Sequence, residues 1–149
     1  KDHLVDKLKG YMKAFPVRMV QKLIEEITDA NLVNYKALET LNLPAPWHKD
    51  SVLIIGDAAH ATIPQLGSGA ALAIEDAVVL VEEIQKSDDT NTIFENFMKR
   101  RYERCKMVVD ASEKLGEWEL MEYNDLPLPE GANMGAVIGK ISMALTAPI

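Results

Sequence analysis

The spacing of apolar and polar positions changes period several times along the chain, and each change marks an element. Leu4, Val5, Leu8, Tyr11 and Met12 recur at helical spacing and predict a first helix that begins to fail near Gly10. Pro16 suits the first turn of a second helix, with Val17, Val20, Leu23, Ile24 and Ile27 facing inward. The stretch NLVNYKAL alternates weakly, as a strand would. LNLPAPWHKDS reads as a connector held extended by Pro44 and Pro46, with Trp47 anchoring it to a core.

Ser51 to Ile55 is a short, continuously apolar, β-branched run. It predicts a strand covered on both faces in a mainly parallel sheet, ended by Gly56-Asp57. From Ala70 the period is helical again, and Ala73, Ala77, Leu80, Val81 and Ile84 form one stripe. After the break KSDDTNT, a capping box of Thr92 with Glu95 starts a long helix. That helix turns Phe94, Phe97, Met98, Cys105, Val108, Val109 and Leu115 inward and has a stop signal at Gly116. YNDLPLPEG links it to an apolar tail. The tail carries Gly131, Gly135 and Gly139 at four-residue spacing, the pattern of close helix pairs in bilayers. Lys140, Asn133 and Pro148 argue instead for a docked or loosely ordered segment outside the membrane.

Composition narrows the classes. With 149 residues, 48% hydrophobic and 26% charged, the chain is too apolar for disorder and long enough to bury a core. Sixteen basic against 23 acidic residues give a net charge of −7, with no basic stripe among aromatics, so nucleic acid is not an expected partner. The lone Cys105 can form no internal disulfide and fits a reducing, cytoplasmic setting. His3, His48 and His60 are scattered, and no metal site is expected. The opening KDHLVDKLKG has no initiator Met and is already helical in period, as expected of a piece of something longer or a trimmed chain.

The chemistry concentrates in VLIIGDAAHATIPQLGSGAALAIEDAVVL, Val52 to Leu80. A strand delivers Gly56 and Asp57 to a sheet edge, where ligands of open α/β folds sit. Gly56 permits close approach of a ligand to the backbone. Asp57 would repel phosphate but accept from a sugar or polyol hydroxyl. Gly67-Ser68-Gly69 precedes the next helix, whose unpaired amides favour an anion or a carbonyl that gains negative charge. The two features suit the two ends of one flat, polyol-bearing ligand.

Gly56-Asp57-Ala58-Ala59-His60, followed by Pro64, Gly67, Gly69 and Ala73-Ile74-Glu75-Asp76-Ala77, resembles the second flavin-contacting motif of the FAD-dependent aromatic hydroxylases. These are the para-hydroxybenzoate and salicylate hydroxylase relatives, and AIEDA looks most like the salicylate branch. The resemblance spans about Leu32 to Gly116, with RRYER fitting more loosely. It implies an α/β fold class, in which this chain is a mostly helical portion, with a few strands, of a para-hydroxybenzoate-hydroxylase-like FAD-binding fold. Residues 1–46 would end the middle, substrate domain. Residues 47–116 would be the carboxyl-terminal part of the FAD-binding domain, and 117–149 a C-terminal tail.

By the same resemblance, Asp57 would accept from the ribityl chain of FAD. The amides around Gly69, Ala70 and Ala71 would face the flavin N1 and O2 edge, with Gly56, Gly67 and Ser68 completing the cofactor contacts. Pro64 would stand on the side where substrate and oxygen meet. His60 is expected to make a structural hydrogen bond. Glu75 and Asp76, being adjacent, cannot form an acid–base pair on one helix face; one should tie down a neighbouring loop and the other be solvated. Many relatives carry Gln and Asn where this chain has Ser68 and Ala71, which leaves those contacts to the backbone. The GxGxxG turn for the ADP half is absent, so an N-terminal half is an implied partner.

The implied activity is hydroxylation of a small aromatic substrate with O2 and NAD(P)H, and no catalytic residue is assigned. Val33, Tyr35 and Leu38 are candidate pocket walls, with core packing the alternative. Two other readings stay open: a non-catalytic fragment without a complete FAD site, and another flavin reaction such as halogenation.

Overall fold

In a computed structural model, which describes residues 2–149, the chain divides into two units, Lys1–Ala37 and Leu38–Ile149. The first unit holds helices α1 (Asp2–Met12) and α2 (Arg18–Glu26) and a 3-10 turn at Ala30–Leu32. Helix α1 runs through Gly10, which faces open space; a helical glycine costs only about 1 kcal/mol against alanine, so the ladder continues. Val5 is buried, as its place in the pattern predicts. Helix α2 departs from expectation, because it buries no residue: Val17 and Leu23 are exposed, and Val20, Ile24 and Ile27 are half-covered. NLVNYKAL forms no strand. The Asp29 carboxylate instead accepts from the Asn31 amide at 2.8 Å, a local bond that competes with a ladder and closes the 3-10 turn.

The second unit begins extended. Leu41 and Leu43 donate their amides to the carbonyls of Ala61 and Ala59. Trp47 is buried, as the connector required: its indole N–H donates to the Leu43 carbonyl at 2.9 Å, and its ring lies against His60 and Tyr102. A two-residue hairpin follows, β1 (His48–Lys49) antiparallel to β2 (Val52–Leu53), turned by Asp50 at φ 53°. The expected strand covered on both faces is therefore not what forms. Among the described residues the run finds ladder partners only on its own hairpin, which leaves Val52 exposed and Leu53 to Ile55 half-covered. The secondary structure is mostly helical with this one small sheet.

The short helix α3 (Asp57–His60) and a 3-10 turn at Pro64–Leu66 lead into α4 (Gly69–Ile84), α5 (Thr90–Tyr123) and α6 (Met134–Leu145). Helix α5 is the spine, and all seven residues read as inward are buried along it. Its cap is Asp89 rather than Thr92: the carboxylate accepts from the Thr92 amide at 2.9 Å, and an ionised acceptor suits a helix start. Nor does it stop at Gly116. The glycine is buried against Ile63, whose Cδ1 would lie 2.3 Å from an added Cβ, so it marks close packing within a helix of 34 residues. Helix α6 docks on α5 through the buried Ile141, and Asn133 caps it by accepting from the Ala136 amide. Among the described residues no helix is long and apolar enough to cross a membrane.

Helix α4 reverses the predicted stripe. The buried face is Leu72, Asp76, Val79 and Glu83, directed at α5, while Ala77, Val81 and Ile84 are exposed and Ala73 and Leu80 half-covered. Ile74 and Val78 extend the exposed side, which borders a groove of about 540 Å³ lined by Ala73, Ile74, Ala77, Val78, Val81 and Glu82. Apolar periodicity fails here because two buried positions carry carboxylates, neutralised by arginines on α5. Leu72→Ala is expected to destabilise the unit by about 2–5 kcal/mol, and Val81→Ala by less than about 1 kcal/mol. Chemical denaturation of the two variants checks this; equal losses would show that the stripe is buried.

Candidate functional site

Gly56 leaves β2 in a conformation, φ 60° and ψ −144°, that a side chain rarely tolerates. It lies against the second turn of α4: an added Cβ would sit 3.2 Å from the Cβ of Ala73. Asp57 follows as the first residue of α3 and is exposed. The loop that carries the candidate carboxylate and the start of α4 are thus neighbours. Ser68 precedes α4 but does not cap it; its hydroxyl donates to the Leu66 carbonyl at 3.0 Å. The helical ladder opens with the Leu72 amide on the Ser68 carbonyl, so the amides of Gly69, Ala70 and Ala71 precede it with no side-chain cap. Gly67 is left-handed at φ 61° with open space beside its Cα, and Gly69 packs against the Thr62 hydroxyl. Pro64 opens the 3-10 turn and is exposed.

Beneath this surface lies a buried polar cluster. Asp76 is fully buried, and its Oδ2 accepts from the Gly56 amide at 2.8 Å and pairs with His60 Nε2 at 2.6 Å. Its Oδ1 accepts from Arg101 Nε at 2.7 Å. Arg101 is also fully buried and donates to Glu75 at 2.7 Å and to the Leu72 carbonyl at 3.2 Å. Glu75 is not solvated, as one of the adjacent acids was expected to be, but bridges two arginines. Arg104 grips it from Nε and Nη2 at 2.9 and 2.8 Å, and reaches the Ala144 and Leu145 carbonyls at the end of α6. Farther along, Arg100 pairs with Glu82 and Glu83. Three arginines of α5 thus face four acids of α4.

The electrostatics follow from these contacts. Burial pushes the Asp76 carboxyl up, but hydrogen bonds from His60, the Gly56 amide and Arg101 outweigh it and hold the group below its ordinary 3.8. The Arg104 hydrogen bond, with help from Arg101, keeps Glu75 below its ordinary 4.5 against the opposing effect of burial. Burial pushes the Cys105 thiol up to about 12. His60, Asp76 and Cys105 lie within 4.8 Å of one another, a spacing open to a metal ion. The Arg101 guanidinium already contacts Asp76 and Cys105 there, and the thiol is held protonated, so the donor set does not suit a cation.

The structure brings Gly56 and Asp57 close to α4 and puts His60 in the hydrogen bond expected of it. The imidazole Nδ1 is buried without a hydrogen-bond partner among the described residues. None of Asp57, Pro64 or Gly67 to Ala71 lines the 540 Å³ groove. Tyr35 and Leu38 are exposed, while Val33 and Tyr35 border a smaller groove of about 260 Å³ in the first unit. Sequence alone, though it shows RRYER, assigns no role to Arg101 or Arg104. The available signal was RRYER at i, i+3 spacing opposite a helix carrying Glu75 and Asp76.

Comparison with known proteins gives this geometry a context. Residues 19–112 match a family model described as FAD binding domain. A Bacillus subtilis (strain 168) protein, YetM, provisionally named an FAD-dependent monooxygenase, is 38% identical over 114 residues, 76% of this chain and 30% of its own length. The 2-heptyl-3-hydroxy-4(1H)-quinolone synthase of Pseudomonas aeruginosa (strain UCBPP-PA14) is 36% identical over 95 residues, 62% of this chain and 25% of its own length. The FAD-dependent monooxygenase prhF of Penicillium brasilianum is 34% identical over 77 residues, 44% and 16% of the two chains. The chain spans less than a third of the length of each of these relatives. No solved structure matches it.

Because Asp76 and Glu75 are depressed in the folded state, their stabilisation is fully present above their unfolded pKa values. It is lost as pH falls through the still lower folded values. Asp76→Asn is therefore expected to flatten the fall in unfolding free energy below about pH 5. An acid limb of unchanged slope, measured by denaturant titration across that range, would show that Asp76 is not held ionised.

Proposed function

The chain belongs to the FAD binding domain family, and on that premise we propose that it supplies the ribityl-holding and pyrimidine-edge contacts of an FAD-dependent monooxygenase. The observation that carries the reading is the contact of Gly56 with Ala73, which makes neighbours of Asp57 and the N-terminal turns of α4. The residues present fit the cofactor. Asp57 is exposed and acceptor-only, Gly67 leaves open space, and the amides of Gly69, Ala70 and Ala71 have no side-chain cap.

In this reading Asp57 accepts from a ribityl hydroxyl, and Gly56 lets the ligand chain approach the backbone. Gly67 and Ser68 shape the turn ahead of α4, whose first amides and dipole face the flavin N1 and O2 edge. Donors fixed there favour the form in which that edge carries negative charge. Pro64 offers an apolar, hydrogen-bond-free surface beside the ring, on the substrate side. Bound FAD would supply the redox chemistry: NAD(P)H would provide the electrons, one atom of O2 would enter a small aromatic substrate and the other would leave as water. No side chain of this chain is assigned as acid or base. The names of the Bacillus and Penicillium relatives support monooxygenation over halogenation. The rest of the FAD contacts belong to a partner segment of the full protein.

Asp57→Ala in the intact flavoprotein is expected to weaken FAD binding roughly tenfold or more, the loss of a hydrogen bond to a charged acceptor. Flavin retained through gel filtration and the FAD dissociation constant measure it. Unchanged values would remove Asp57 from the site.

A further inference from the structure

The buried carboxylate of Asp76 touches both ends of α3. Oδ2 accepts from the amide of Gly56, the residue that caps α3, and pairs with Nε2 of His60, its last residue. Asp57 lies between those grips. Oδ1 faces the other way and is fixed by Arg101, itself fully buried and held by Glu75 and the Leu72 carbonyl. A helix of four residues has almost no internal ladder to define its direction. Gly56 also sits in a conformation that persists only where its surroundings over-determine it. Both conditions call for an external restraint, and Asp76 is the side chain that meets them.

We propose that Asp76 is a positioning residue for cofactor binding: through Gly56 and His60 it fixes α3 on the α4–α5 pair, and so aims the Asp57 carboxylate. The inference rests on the reading of Asp57 as a cofactor contact. It adds a division of labour, in which an exposed acid makes the contact and a buried acid sets its direction. Arg101 supplies the rigidity, since its guanidinium ties the same carboxylate to the middle of α5.

The test is a double-mutant cycle on FAD affinity in the intact flavoprotein, with wild type, Asp57→Ala, Asp76→Asn and the double variant. Leu115→Ala serves as a control, being a truncation of a buried residue of α5 about 21 Å along the helix from Arg101 at 1.5 Å per residue. Asp76→Asn is expected to weaken FAD about tenfold in the wild-type background and less than about twofold when Asp57 is already alanine. Leu115→Ala should lower thermal stability without that coupling. Amide exchange at Gly56 and Asp57 should quicken at least about tenfold more in Asp76→Asn than in Leu115→Ala. Should Asp76→Asn alone fail to fold, Asp76→Asn/Arg101→Met, which removes the buried charges together, takes its place in the cycle.

Equal weakening in both backgrounds, or none, overturns the proposal. So does exchange at Gly56 and Asp57 no faster than in the control. If Asp57→Ala weakens FAD but Asp76→Asn does not, only the positioning role falls. If Asp57→Ala itself changes nothing, the cofactor reading and the positioning role fall together.

Discussion

An aspartate and an arginine, both wholly shielded from water, meet between α4 and α5, and the second unit is arranged around that meeting. Shielding each charge costs several kcal/mol before any attraction is counted. The cost is offset because each group is saturated: the carboxylate by an amide, an imidazole and a guanidinium, the guanidinium by a second carboxylate and a carbonyl. Removing either partner alone would leave the other uncompensated, a change on the scale of 3–5 kcal/mol. The pair is also directional. Arg101 forks between Asp76 and Glu75, and Arg104 holds Glu75 by two hydrogen bonds; such geometries tolerate little sliding, so the register of α4 along α5 is set more tightly than apolar packing would set it.

Outward from that pair, two surfaces are organised in opposite senses. Toward the loop, Asp76 reaches the backbone at Gly56 and orients α3. Toward the C-terminus, Glu75 passes the restraint to Arg104, and Arg104 to the carbonyls that end α6. Cationic side chains at a helix C-terminus complement its dipole, so α6 is held by an electrostatic contact as well as by Ile141. The proposed cofactor loop and the final helix are joined through four residues, Asp76 and Glu75 of α4 and Arg101 and Arg104 of α5.

Much of this was legible in the sequence, and the failures share a cause. Helix α5 was read correctly along its buried face because its core positions are large and apolar. The turns at Gly-Asp and Gly-Ser-Gly were legible because Gly56 and Gly67 take positive φ, a conformation that few other residues allow. Helix α4 was misread because its aliphatic residues lie outward and two of its inward positions are acidic. Periodicity treats an acid as a vote for solvent; only the arginines of RRYER, some 25 residues away, reverse the sign. Ser51 to Ile55 has the composition of a central strand, but composition cannot supply neighbours, and among the described residues it pairs only in a hairpin. Gly116 reads as a terminator because glycine serves both for stopping helices and for letting them pack closely, and spacing alone does not separate the two uses.

Gly56 carries a further consequence. Its positive φ and the Ala73 methyl group beside it strain any β-carbon for two independent reasons. Every replacement of glycine by another amino acid introduces one. Mutational drift at this position therefore meets backbone strain at once, together with a crowded Ala73 methyl group that must yield by a few tenths of an ångström. Single-site adaptation of the loop is confined to the positions around it.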